Sequence, residues 1–153
     1  MRGLTAAVLT LSLIGVACDN SNSDSTPTTP SPPVVSETLS GTVSAPVNGV
    51  LQSSFNPFTV ASPGGAVSVT LTSATETRPD GTSNPNVVVG VAVGTPSGTT
   101  TCTLGSGNTP VLLQASANST ISGTAAAGAY CVQVSDVTNQ KGPVAYTIVV
   151  MHP

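Results

Sequence analysis

The sequence predicts an all-β fold, about eight strands forming an antiparallel β-sandwich, and three observations carry that prediction. Apolar and polar residues alternate in several short runs, such as Val67-Ser68-Val69-Thr70-Leu71-Thr72. That period of two gives each strand one face for a core and one for water. Clusters of Gly, Pro, Asn and Asp separate the runs at intervals of roughly 10–15 residues, as turns between short strands do. Past the N-terminal segment, no long window carries the apolar period of a helix.

In chain order, Met1-Arg2-Gly3 is a minimal positive segment, and 4–16 is apolar. This run has the length of a signal peptide and falls short of the about 20 residues that a membrane-spanning helix needs. It ends at Val16-Ala17-Cys18, which resembles a bacterial lipobox, with Gly15 where a large aliphatic residue is usual. The resemblance implies cleavage after residue 17 and diacylation of the Cys18 thiol. Gly15 and Ala17 also suit ordinary signal peptidase, which would leave Cys18 a free thiol on a secreted protein. Residues 18–36 are rich in Ser, Thr and Pro, including Pro27, Pro30, Pro32 and Pro33. Such a stretch buries too little apolar surface to offset chain entropy, and its prolines favour an extended spacer reaching up to roughly 55 Å.

The sandwich is expected over 37–153. Residues 39–43 alternate and lead into the turn signal Ala45-Pro46-Val47-Asn48-Gly49. The next strand, 55–60, contains Pro57, which marks an edge or a bulge because proline cannot donate to a ladder. The run 67–72 points Val67, Val69 and Leu71 to one face. A long loop follows at 78–86. Residues 87–93 are almost continuously apolar, as in a strand covered on both faces, with Gly90 a candidate bulge. Shorter strands are expected at 99–104, 111–114 and 119–122. The last two, 129–134 and 144–150, alternate with Tyr130, Val132, Val134 and Val144, Tyr146, Ile148, Val150 facing inward.

Composition narrows the partners. Only 6% of the residues are charged, and without Arg2 the cations are Arg78 and Lys141 against six acidic residues. No basic patch exists to neutralise phosphates, which argues against nucleic acid and against docking on anionic lipid. The expected partners are the membrane, through the N-terminal lipid, and an envelope or extracellular protein.

Of the three cysteines, Cys18 is assigned to the lipid, which leaves Cys102 and Cys131 as a pair. Export places them in an oxidising compartment, where a bridge is expected. Closing such a loop contributes about 3–4 kcal/mol. Cys131 is out of phase with Tyr130 and Val132, so the bridge is expected on the outer face of its sheet. Two cysteines with no second pair or neighbouring histidine make a poor zinc site.

The segments Phe58-Thr59-Val60, Pro63-Gly64-Gly65, Ile121-Ser122-Gly123 and Ala127-Gly128-Ala129-Tyr130, with the closing 144–150, resemble the bacterial pre-peptidase C-terminal domain family. The resemblance spans most of 41–150 and implies a jelly-roll-like sandwich acting as an accessory or binding module. The chain departs from the family in its cysteine pair and in lacking an attached protease.

Little in the sequence suggests catalysis. The one histidine, His152, stands beside Pro153, where an imidazole is rarely held firmly enough to orient a nucleophile. No glycine motif stands in a strand-to-helix context that would cradle phosphate. The remaining candidate is a calcium site from Glu76, Asp80, Asn84 and Asn86, joined by Asp136, since oxygen ligands close in sequence suit that ion. The same residues are also turn formers. With no tryptophan and both tyrosines inward, sugar stacking is disfavoured. The sequence therefore points to a non-catalytic, lipid-anchored envelope module that needs no cofactor. The alternative is a substrate- or calcium-binding accessory to a separately encoded secreted hydrolase.

Overall fold

The computed structural model describes residues 30–106 and 108–153; the signal peptide, the Cys18 anchor and most of the spacer lie outside them. Eight strands form: β1 Val35–Val43, β2 Ser53–Thr77, β3 Ser83–Asn84, β4 Val88–Ser97, β5 Thr101–Thr103, β6 Val111–Gln114, β7 Thr120–Ser135 and β8 Val144–His152. A single 3-10 turn, Ala115–Ala117, interrupts them. All pairings are antiparallel. The sheet runs β1-β8-β2-β7-β4-β5, with β3 on β2 and β6 on β4. It does not close into a barrel.

One sheet becomes two layers because β2 and β7 bend together. Ser53–Val60 pairs with Gly128–Ser135, and Gly64–Thr70 pairs with Thr120–Ala126, with a register shift between Val60 and Gly64. At this corner Gly64 and Gly128 take positive φ (97° and 155°), conformations that residues with a Cβ rarely adopt. The first layer is β1, β8, the second half of β2 and the first half of β7. The second is the first half of β2, the second half of β7, and β4 with β5 and β6.

Period-two alternation explains the core between them. Val67, Val69, Leu71, Val144, Tyr146, Ile148 and Val150 from one layer meet Phe58, Val60, Val89, Val91, Val132 and Val134 from the other. Each such side chain contributes about 1.5–3 kcal/mol relative to an exposed one. Pro57 lies in the half of β2 that pairs with β7 alone, the edge position its missing N–H requires. The turn after β1 closes with Asn48 and Gly49 both at positive φ (51° and 76°), which an Asn-Gly pair tolerates.

Several expectations need revision. The runs 55–60 and 67–72 are one strand, β2, and 119–122 and 129–134 are another, β7, because each passes from one layer to the other without leaving the sheet. The loop 78–86 contains β3, a two-residue return onto β2. Gly90 is not a bulge: its pairings with β6 and β7 keep continuous register. A Cβ there would stand 2.7 Å from Ser135 Oγ and 3.0 Å from Pro110 Cβ, so glycine admits the chain that covers this face. Ladder pairing begins at Val35, two residues before the compositional boundary.

Candidate functional site

Glu76, the first candidate ligand, is 1% exposed near the end of β2. Its Oε1 accepts the backbone N–H groups of Lys141 and Gly142, the latter at 3.1 Å. Its Oε2 accepts Arg78 Nε at 3.2 Å and Asn84 Nδ2 at 3.3 Å. Burial pushes this carboxyl pKa up, but the bonds from Lys141, Arg78, Asn84 and Gly142 together outweigh it and hold the value below the usual range. The carboxylate thus ties the segment before β8 to the β2–β3 hairpin, with four donors occupying its oxygens.

Of the other predicted ligands, Asp80, Asn84 and Asn86 take part in hydrogen bonds of the local turn. Asp80 Oδ1 accepts the Thr82 hydroxyl at 2.6 Å and the Thr82 N–H at 2.9 Å, and these bonds lower its pKa. Asn84 turns its amide nitrogen to Glu76, while its Oδ1 accepts Asn86 N–H at 3.1 Å. Asp136 is buried just after β7, its carboxylate oxygens without a protein partner. Among the described residues, no three His, Cys, Asp or Glu side chains gather as metal ligands. What unites the loop is turn chemistry around one buried carboxylate.

Cys102 and Cys131 are joined, with Cα atoms 5.8 Å apart. Cys131 is fully buried yet absent from the core cluster, on the face of β7 opposite Tyr130 and Val132, as the alternation predicts. The bridge crosses over β4 at Gly94, where a Cβ would sit 2.4 Å from Thr103 O and 3.1 Å from Cys102 Sγ.

His152 is held more firmly than its position in the chain suggests. It is buried, its ring is 5.4 Å from that of Phe58, and Nδ1 lies 2.9 Å from Pro153 O. Its Nε2 is 3.2 Å from Glu37 Oε1, close enough for an ion pair but not aligned for a hydrogen bond. Among the described residues no serine, threonine or cysteine side chain hydrogen-bonds to the ring, which packs on Phe58 at a strand end.

One concavity of the described residues was missed by sequence reasoning. Where the first half of β7 diverges from β4, the layers part around a cleft of about 620 Å³, within the usual range for ligand pockets. Val69, Ile121 and Ala125 line one side, Val91 and Val93 the other, and Tyr130 stands at the corner. The polar lining consists of hydroxyls and amides, including Thr95, Thr103, Asn108 and Thr124, and no carboxylate, imidazole, ammonium or guanidinium is among its described residues. Gly123 falls between Ile121 and Ala125 on the same strand face, and a Cβ there would meet nothing within 4 Å. The available sequence signal was this glycine inside a strand, which marks close approach by something else.

No family model, curated protein or solved structure matches this chain.

Proposed function

We propose that the chain is a non-catalytic binding module, held at the bacterial cell envelope by a lipid on Cys18 and a proline-rich spacer. The observation that carries the binding role is the interlayer cleft, which is apolar, open and lined by neutral hydroxyls and amides. Proton transfer and nucleophilic attack need a positioned acid, base or activated nucleophile; the described lining holds no carboxylate, imidazole, thiol or ammonium, and its phenol, Tyr130, donates to Ala126 O. The polar group with the most partners, Glu76, bonds to Arg78, Asn84 and the segment before β8. The strand motifs that resemble pre-peptidase C-terminal domains fit the same role of an accessory module.

The test of the anchor is intact mass of the protein purified from a bacterial membrane fraction, with and without reduction and alkylation. The expected species starts at Cys18, carries acyl mass and takes up no alkylating agent until reduced. An unacylated species free in the medium, with a reactive Cys18, would make this a secreted module instead. Turnover of a substrate that is lost on replacing residues of the cleft would overturn the non-catalytic reading.

A further inference from the structure

We infer that the cleft receives an extended, uncharged polypeptide segment, which adds as a strand to the free edge of β7. This rests on the binding-module reading and names its ligand class.

Along an antiparallel pair, successive residues direct their N–H and C=O groups alternately toward and away from the partner. Leu71 N–H donates to Ser119 O at 3.1 Å, so the odd-numbered residues of this part of β2 face β7. Their partners Ile121, Gly123 and Ala125 therefore face β2 in return. The even-numbered residues of β7 must point the other way. The Ala126 carbonyl accepts the Tyr130 hydroxyl at 3.1 Å.

Ser122 and Thr124 share the phase of Ala126. β4 pairs with β7 only from Cys131 to Ser135, so no described strand lies on this side of Thr120–Ala126. A sheet edge bearing unpaired peptide groups is a template for another strand. Here the edge also borders the cleft, and Ser122, Thr124 and Ala126 all line it.

The same strand face supplies room for side chains. Ile121 and Ala125 pack against the core, while the space over Gly123 is open. An added strand would satisfy the peptide groups of Ser122 and Thr124 while its alternate side chains enter the apolar gap, the division of labour found in strand addition. The charge of the occupant follows from the lining. No described lining residue is charged, so a charge buried there would lose its hydration without gaining a partner. A segment of small apolar and hydroxyl side chains fits.

The test is amide hydrogen exchange on the isotopically labelled full chain, with and without a capped Thr/Val alternating heptapeptide. Free, the Ser122 and Thr124 amides should exchange quickly, and those of Ile121, Gly123 and Ala125 slowly. Saturating peptide should slow the first group about tenfold or more and leave the second unchanged. Gly123→Leu, which has space for its side chain, should keep the spectrum and thermal midpoint of the parent and abolish this protection. Thr124→Pro, which removes an outward N–H only, should do the same. Binding without protection at Ser122 and Thr124 would overturn strand addition. Equal binding by a peptide with Asp at its valine positions would overturn the uncharged ligand class. Protection that grows with protein concentration and needs no peptide would assign the edge to a second copy and overturn a separate partner. None of these results depends on acylation of Cys18, so they separate this inference from the anchoring proposal.

Discussion

The side-chain amide of Asn56, on β2, donates a 2.6 Å hydrogen bond to the hydroxyl of Tyr146, on β8, across the interior between the layers. The hydroxyl in turn donates to Ser54 Oγ at 2.7 Å. One phenol thereby satisfies a buried amide and joins the two layers at the end of the sandwich away from the corner. Gly41 lies beside it, and a Cβ at that position would stand 2.4 Å from Tyr146 Oη.

Tyr146→Phe should lower unfolding free energy by about 1–3 kcal/mol, the cost of leaving a buried polar group unpaired. Gly41→Ala should also destabilise, because its methyl competes with the hydroxyl for space. In the double variant the hydroxyl is gone and only the ring carbon Cζ, 2.8 Å away, and Ser54 Oγ, 3.0 Å away, still crowd the methyl, so the combined loss should be smaller than the sum of the single losses. Urea unfolding of the four proteins measures this; strict additivity would show that the contact is unimportant.

Glu76 should make the fold acid-sensitive. Its folded pKa lies below the ordinary glutamate value, so its contribution is fully present above the unfolded value of about 4.3–4.5. It is lost as pH falls through the lower folded value. Glu76→Gln should cost about 1–3 kcal/mol at neutral pH, by turning an amide NH2 toward existing donors, and should flatten the acid limb. Thermal midpoints measured from neutral pH down to about pH 3 would show both effects.

Gly142 should tolerate no side chain. A Cβ there would fall 1.9 Å from Thr77 O, a backbone atom that cannot swing aside. Gly142→Ala should therefore displace the segment that delivers two N–H groups to Glu76. A loss larger than that of Glu76→Gln is expected in the same unfolding assay.

Replacing Cys102 and Cys131 together by serine should cost about 3–4 kcal/mol, for a bridge spanning 29 residues. The parent in reductant should fall to a similar midpoint. A far smaller loss would mean that β5 stays on β4 by its backbone ladder alone.

Much of the fold was legible because alternation reports directly on a two-faced strand. Val67, Val69 and Leu71 face the core as their spacing predicts, and Cys131 faces away from it. The outline failed where the cause was non-local. Nothing near 119–134 says that one strand crosses both layers, because the bend is set by its pairing with Val60 and Gly64 of β2. Glu76 read as a calcium-ligand candidate or a turn residue, and its buried role was hidden because two of its four donors are the distant Lys141 and Gly142. The cleft was hidden for the same reason: it is a gap between segments, and only Gly123 hinted at it locally.

The position of β8 has a consequence for how the molecule is made. Although it follows the other seven strands in sequence, it lies between β1 and β2, and its register pairs Val35 with His152. As the chain emerges from N- to C-terminus, β1 has no neighbour in the sheet until β8 arrives. The first layer therefore cannot be completed on a nascent chain that stops before Val144, although its β2–β7 portion needs no later strand. The long loop closure this demands delays folding, as it does for other sheets dominated by distant pairings. In this topology the first strand to be made is among the last to enter the sheet.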